Sequence, residues 1–344
     1  MFSKLAGNEN VKQTLKRLLK TGRVPNSMLF AGDEGVGKRQ FAFELAKAFV
    51  CTEPMNGEAC RACAACRRAD VFALPTSDKG DDYKKVFFSS HPDIGVVVPF
   101  KRNVYVDAIR ELEREANFRP FEARARFLII DDAEKMNDAA SNALLKTLEE
   151  PPPTSHIFLI TSRPDSLLAT IRSRCQLLRF APVACQEIED FLISDRAFTH
   201  DEARLAARLS RGSVGRALSI NVEHFRAQRE KMLIVLANVI ETGDRAALLR
   251  AAESMHDQKN SSVFDQNLDI LQSLIHDIWN LLVGGEPDKI VNTDLSERLR
   301  YLAMGADSAA LRSWSSAIDT IRENLAVNIN RRVAVDALFV TMTA

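Results

Sequence analysis

The chain has 344 residues, room for two or three domains at about 100–200 residues each. Its 46 lysines and arginines balance 46 aspartates and glutamates, which argues against a strongly basic nucleic-acid binder but not against a local basic patch. With 46% hydrophobic and 27% charged residues, the composition excludes disorder as the main state, and no apolar run approaches the ~18–20 residues of a membrane span.

The N-terminus, Met1-Phe2-Ser3-Lys4, leads into a polar stretch without a signal-peptide core, so a cytoplasmic protein is expected. Val11, Leu15, Leu18 and Leu19 share one face of a helix. Met28-Leu29-Phe30-Ala31 reads as a buried strand, and Phe41, Leu45, Ala48 and Phe49 return to helical spacing. The polar segment from Thr76 to Tyr83 is expected to be mobile. Gly95-Val96-Val97-Val98 is strand-like, Tyr105, Ile109, Leu112 and Ala116 form a helix face, and Phe127-Leu128-Ile129-Ile130 is a strongly apolar strand. The helix carried by Met136, Ala140, Leu144 and Leu148 stops at Pro151-Pro152-Pro153, which supply no amide donors. Ile157-Phe158-Leu159-Ile160 and Leu177-Leu178 complete five strand candidates. Apolar strands alternating with helices imply a parallel sheet covered on both faces. After Pro182 short helices follow, and from about residue 223 the chain is almost entirely helical, with Phe264, Leu268, Leu271, Ile275, Ile278 and Leu282 on one face.

Three motifs carry chemistry. Gly32-Asp33-Glu34-Gly35-Val36-Gly37-Lys38 lies between a strand and a helix and matches G-x-x-x-x-G-K, a loop whose amides and lysine cradle phosphates. The following residue is Arg39, where a Ser or Thr hydroxyl would ligate Mg²⁺, so metal-assisted hydrolysis is disfavoured while nucleotide binding stays open. Asp131, at the end of the strand Phe127–Ile130, is placed for the magnesium shell, and Asp132 is one methylene shorter than the Glu that positions water in hydrolysing relatives. Cys51, Cys60, Cys63 and Cys66 give C-x8-C-x2-C-x2-C. Four thiolates within sixteen residues suit one tetrahedral Zn²⁺, with an iron–sulfur cluster or four reduced thiols as alternatives. Cys175 and Cys185 lie outside this group, and the lysines and arginine around the first helix (Lys4, Lys12, Lys16, Arg17, Lys20) suit a solvated face better than DNA contact.

The stretch Asn142-Ala143-Leu144-Leu145-Lys146-Thr147-Leu148-Glu149-Glu150-Pro151-Pro152 and the triplet Ser173-Arg174-Cys175 resemble signatures of the AAA+ clamp-loader family of the DNA polymerase III holoenzyme. The resemblance implies an α/β P-loop domain over 1–180, with a parallel five-stranded sheet, helices on both faces and a zinc module at 51–66. It further implies a helical lid over 181–222 and a helical collar for oligomerisation over 223–344. Motor subunits of that family carry G-K-[ST], Asp-Glu and an arginine in a G-S-x-R context. Here Gly37-Lys38-Arg39, Asp131-Asp132 and Gly212-Ser213-Val214-Gly215 depart at each position. The resemblance therefore implies a non-motor subunit. Its degenerate nucleotide site would comprise Gly32, Gly35, Gly37, Lys38 and Asp131, and Arg174 would be a finger acting in trans. Thr161 and Ser162 lie where the family places its first sensor, and Asn324 through Asn330 resemble a late asparagine-rich turn. Partners so implied are motor subunits and a delta-type subunit, with the sliding clamp and primed DNA reached through the complex. The alternatives are an ATP-hydrolysing AAA+ motor subunit and a free-standing zinc-containing interaction protein.

Overall fold

The computed structural model describes residues 2–242, 261–325 and 331–342. The chain divides into two compact units, Met1–Ser219 and Ile220–Ala344. Among the described residues no helix is long and apolar enough to cross a membrane.

The first unit is built on the strands β1 (Ser27–Ala31), β2 (Phe87–Phe88), β3 (Ile94–Val97), β4 (Arg126–Ile130), β5 (Ser155–Thr161) and β6 (Gln176–Arg179), in the spatial order β2-β3-β4-β5-β1-β6. The strands from β3 to β6 pair in parallel. Successive residues point to opposite faces, and both faces are apolar. Met28, Phe30, Phe127, Ile129, Phe158 and Ile160 meet Val11 and Leu15 of α1 (Glu9–Thr21) and Phe41 and Leu45 of α2 (Lys38–Val50). Leu29, Leu128, Ile130, Ile157 and Leu159 instead meet Ile109 and Leu112 of α4 (Val106–Ala116), Leu144 and Leu148 of α5 (Asp138–Glu149), and Ile171 of the short α6 (Ala169–Arg172). Each such buried side chain is worth about 1.5–3 kcal/mol, so the two layers hold the sheet ends in place. The six-residue α3 (Ala64–Ala69) lies in the cysteine-rich insertion after α2.

All five expected strands are present, but the sheet has six, and the sixth breaks its parallel character. β2 pairs antiparallel with β3, Phe87 opposite Val96 and Phe88 opposite Gly95. Two residues behind Lys84-Lys85 are too few to show a period. Its place depends on Gly95, since a side-chain carbon there would lie 2.7 Å from Val86 and 3.0 Å from Phe88. The segment from Thr76 to Tyr83 is built rather than open: Gly80–Tyr83 form a single 3₁₀ turn, and the Tyr83 hydroxyl donates to the Pro75 carbonyl at 3.1 Å.

At the entry to β3 and β4 a buried charge cluster replaces apolar packing. The Asp93 carboxylate, 0% exposed, accepts the backbone N–H groups of Phe121, Glu122 and Ala123 at 2.8–2.9 Å. Arg126, 1% exposed, lies 3.8 Å from Asp93, pairs with Glu115 at 2.8 Å and stacks against Phe88 and Phe121.

Three helices close the first unit: α7 (Cys185–Arg196), α8 (His200–Leu209) and α9 (Val214–Ser219). Thr199 and Glu202 form a reciprocal capping box at the start of α8. The second unit is helical in its described residues: α10 (Val222–Glu241), α11 (Ser261–Leu282), α12 (Ser296–Gly305), α13 (Ser308–Leu325) and α14 (Arg331–Met342). Its core joins Leu233 and Leu236 to Leu268, Leu271 and Ile275, then to Leu299, Ile318 and Leu338. Trp314 is buried in this core and Trp279 packs against it. Asp277 accepts the amides of Val291 and Asn292 at 2.9 and 2.8 Å and so folds the 283–295 connection onto α11. Of the expected asparagine-rich turn from Asn324 to Asn330, residues 326–330 lie outside the described residues.

Removing Asp93 leaves three backbone amides without their acceptor and takes from the buried Arg126 one of its two carboxylate neighbours, Glu115 remaining. Asp93→Ala is expected to cost about 3–5 kcal/mol in urea unfolding, as for other broken buried pairs, and Asp93→Asn less, because one acceptor survives. A loss under ~1 kcal/mol for the alanine variant would show that water replaces the carboxylate without penalty.

Candidate functional site

The phosphate-type loop runs from the end of β1 to the start of α2, at the carboxyl ends of the parallel strands. Gly35 has φ +77°, a conformation that glycine adopts without strain, and its carbonyl accepts the Gly215 amide of α9 at 2.8 Å. The approach depends on glycine at both ends: a side-chain carbon at Gly215 would lie 3.2 Å from the Gly35 Cα. Gly215 is the position at which the motor pattern places its sensor arginine. The helix that would present that charge instead rests its backbone on the loop.

Lys38 is buried, and its ammonium donates to the carbonyls of Gly32 and Asp33, each at 2.6 Å. Burial pushes its pKa down, against the opposing pull of the Glu134, Asp132, Asp131 and Glu34 carboxylates. Arg39 reaches across to Asp131 at 3.1 Å and stacks on Phe43 at 5.4 Å. Burial raises the Asp131 pKa, with Arg39 working in the other direction. A guanidinium, which has only donors, thus sits where the motif would bring a divalent ion to the carboxylate. Asp132 adopts a left-handed backbone (φ +48°) and pairs with Lys135 at 2.7 Å.

Thr161 is buried and accepts the Arg163 amide at 3.1 Å. Ser162 donates both its amide, at 3.1 Å, and its hydroxyl to Glu134. Burial works to raise the Glu134 pKa, and hydrogen bonds from Ser162 and Thr161 outweigh it and hold the carboxyl low. Glu134 was not legible as a site residue. It lies three residues past Asp131, and only a 3₁₀ turn (Ala133–Lys135) carries it back toward β5. Beside this turn region a cavity of about 310 Å³ is lined by Gly32, Asp33, Ser162, Arg172 and Arg179.

Arg174 follows α6 at the edge of the sheet next to β6. Its guanidinium donates to the Thr170 carbonyl at 2.9 Å and to Glu149 at 2.6 Å. Arg172, two residues earlier, pairs with Asp165 at 2.6 Å and not with Glu149.

The four clustered cysteines converge. Their sulfurs lie within 4.8 Å of one another, so the group has the donor set and the spacing to bind a metal ion. Cys51 caps the end of α2, and Cys63 caps the start of α3. The amides of Cys60, Cys63 and Cys66 point at the sulfurs of Cys51, Cys60 and Cys63 at 3.3–3.4 Å. For Cys63, burial works upward but hydrogen bonds from Thr52 and the Cys66 amide bring it down to about 5, whereas burial pushes Cys66 up. Arg61, between two of the cysteines, reaches Glu44 of α2 at 2.9 Å, and Lys47 of α2 pairs with Glu44 at 3.1 Å and with Asp70. Lys16 of α1 contacts Glu58 at 3.4 Å, so part of the basic face of α1 is spent on this insertion. Cys175 is a buried thiol pushed up to about 12, and Cys185 is exposed; neither joins the cluster.

Comparison with known proteins follows the same lines. Residues 7–76 and 75–184 match the family described as "DNA polymerase III, delta subunit". The chain is 28% identical over 321 residues to DNA polymerase III subunit delta' of Bacillus subtilis, covering 93% of this chain and 91% of that one. It is 30% identical over 321 residues to the Escherichia coli subunit of the same name, covering 92% and 88%. It is also 27% identical over 341 residues to DNA polymerase III subunit gamma/tau of Mycobacterium tuberculosis, covering 94% of this chain and 54% of the relative.

The loop geometry makes a direct forecast. The purified chain should show no magnesium-dependent ATP turnover above background, and Lys38→Ala should leave that background unchanged. Robust turnover lost in Lys38→Ala would mean that the Gly35–Gly215 contact and the Arg39–Asp131 pair both open for nucleotide.

Proposed function

The chain belongs to the delta-prime family of DNA polymerase III clamp-loader subunits, and from that premise we propose that it is a non-motor subunit which supplies Arg174 in trans to ATP bound by a neighbouring motor. The observation that carries the reading is a contrast within one domain. The chain's own phosphate loop is closed by backbone and by its own cations, while Arg174 stands at a sheet edge, 33% exposed. An arginine delivered from outside stabilises the negative charge that develops on the γ-phosphate as water attacks and the bond to ADP breaks. In other trans-acting systems this is worth roughly 10³–10⁵ in rate.

In this reading α7–α9, over 181–222, act as a lid that has settled on the loop, and the helices of 223–344 act as a collar for assembly with motor subunits and a delta-type subunit. The assembled complex, in the cytoplasm, would load a sliding clamp onto primed DNA. An ATP-hydrolysing role is the weaker reading, since Arg39, Asp132 and Gly215 each replace a group that handles metal, water or γ-phosphate.

We also propose that Cys51, Cys60, Cys63 and Cys66 hold one structural Zn²⁺. Four thiolate ligands close the coordination sphere, so the ion would fix the 51–66 insertion rather than take part in hydrolysis. Freshly purified reduced protein is expected to carry about one zinc per chain. Chelation should raise amide exchange in 51–66 and leave β1, β4 and β5 protected, because the core on the two sheet faces does not include the thiols. Well under one zinc per chain would sink this assignment.

Arg174→Ala should leave the subunit folded and able to assemble. ATP turnover of the reconstituted complex should fall by the share of the one site this subunit faces, and clamp loading should fall further if the sites act in order. Arg172→Ala, which loses only a pair with Asp165, should do less. Wild-type loading by both variants would make Arg174 structural and the trans-acting role wrong.

A further inference from the structure

Arg174 is held from behind. One nitrogen donates to the Thr170 carbonyl at 2.9 Å and the other terminal nitrogen to Glu149 at 2.6 Å, which leaves the remaining N–H groups of the five-donor fork for an incoming anion. Glu149 ends α5, whose Leu144 and Leu148 are anchored in the sheet core, and Pro151–Pro153 follow the Glu150 cap and prevent the helix from continuing. The carboxylate is therefore carried by a rigid element, whereas Arg174 follows only the one-turn helix α6. Resting on the trans-acting reading above, we propose that Glu149 is a positioning residue for Arg174: it fixes the guanidinium in one rotamer before the neighbouring subunit's phosphate arrives.

The physical argument is entropic and geometric. An arginine side chain loses much rotamer freedom when fixed in one pose, and ordering it beforehand removes that cost from the encounter with phosphate. Two acceptors on one side of the planar fork also set its plane, which a single acceptor does not. The side chains are 33% and 51% exposed, so solvent screens the pair and its effect is moderate. The latch alternative, in which Glu149 competes with phosphate and restrains the finger, predicts the opposite sign.

The test uses the full subunit reconstituted with motor subunits, clamp and primed DNA. Measured are ATP turnover, the KM for ATP, and thermal unfolding of the free subunit. Four variants are compared: Glu149→Ala, Glu149→Gln, Arg174→Ala and the double variant. Positioning predicts that Glu149→Ala lowers the Arg174-dependent part of turnover by about two- to five-fold, the size expected of a screened pair, with KM unchanged. Glu149→Gln, which keeps an acceptor, should retain most of the rate. In the Arg174→Ala background the alanine change should have no further effect, whereas a general structural defect would add to it. Wild-type or faster turnover in Glu149→Ala, or full additivity in the double variant, overturns the assignment. Should Arg174→Ala itself leave turnover unchanged, it is the trans-acting reading that fails, and the two failures are told apart within one experiment.

Discussion

A single backbone hydrogen bond organises the phosphate-type loop of this domain. The Gly215 amide of α9 rests on the Gly35 carbonyl at 2.8 Å, and the close approach exists only because neither residue has a side chain. With the loop apex occupied, its carbonyls at Gly32 and Asp33 turn to Lys38, and the buried ammonium has partners within its own loop. With no hydroxyl after Lys38, Arg39 neutralises Asp131 directly. Each departure from the motor pattern thus has a physical counterpart. Lys38 and Asp131 both find their partners within the domain, the lysine on the loop carbonyls and the aspartate on Arg39.

Much of this was legible beforehand, for identifiable reasons. Five parallel strands were readable because both faces of the sheet are covered, which makes each strand apolar throughout. β2 was not, because two residues carry no period and its position is set by the absent side chain of Gly95. The four cysteines were readable from spacing alone. The short helix α3 inside that spacing was not, since its six residues serve mainly to bring Cys63 and Cys66 back toward Cys51 and Cys60. At the phosphate loop the sequence names the residues but not their direction. That Lys38 folds back on Gly32, that Asp132 turns toward Lys135, and that Glu134 receives Ser162 are outcomes of backbone torsion. No residue type encodes them.

The thiol insertion is not an appendage. Arg61, Glu44, Lys47 and Asp70 form a chain of charges, buried at Glu44 and Lys47 and open to solvent at Asp70, that ties it to α2, the helix that begins at Lys38. Charges out of water are favourable only when held in fixed geometry, and the helix and the insertion supply that geometry to each other. The order of the 51–66 segment and the orientation of α2 are therefore coupled properties.

The three consecutive amides gathered by Asp93 carry a consequence for how chains of this kind can diverge. A carboxylate that takes the N–H groups of residues 121, 122 and 123 counts residues as well as binding them. One residue gained or lost within 121–123 would disturb the turn that brings three successive amides to this carboxylate. The spacing of residues 121–123 is thereby set by one buried side chain, and the exposed Phe118 is less constrained in identity than Phe121, whose ring stacks on Arg126. The connection from α3 to β2 is held differently, its Gly80–Tyr83 turn being closed by local contacts and not by a distant buried carboxylate.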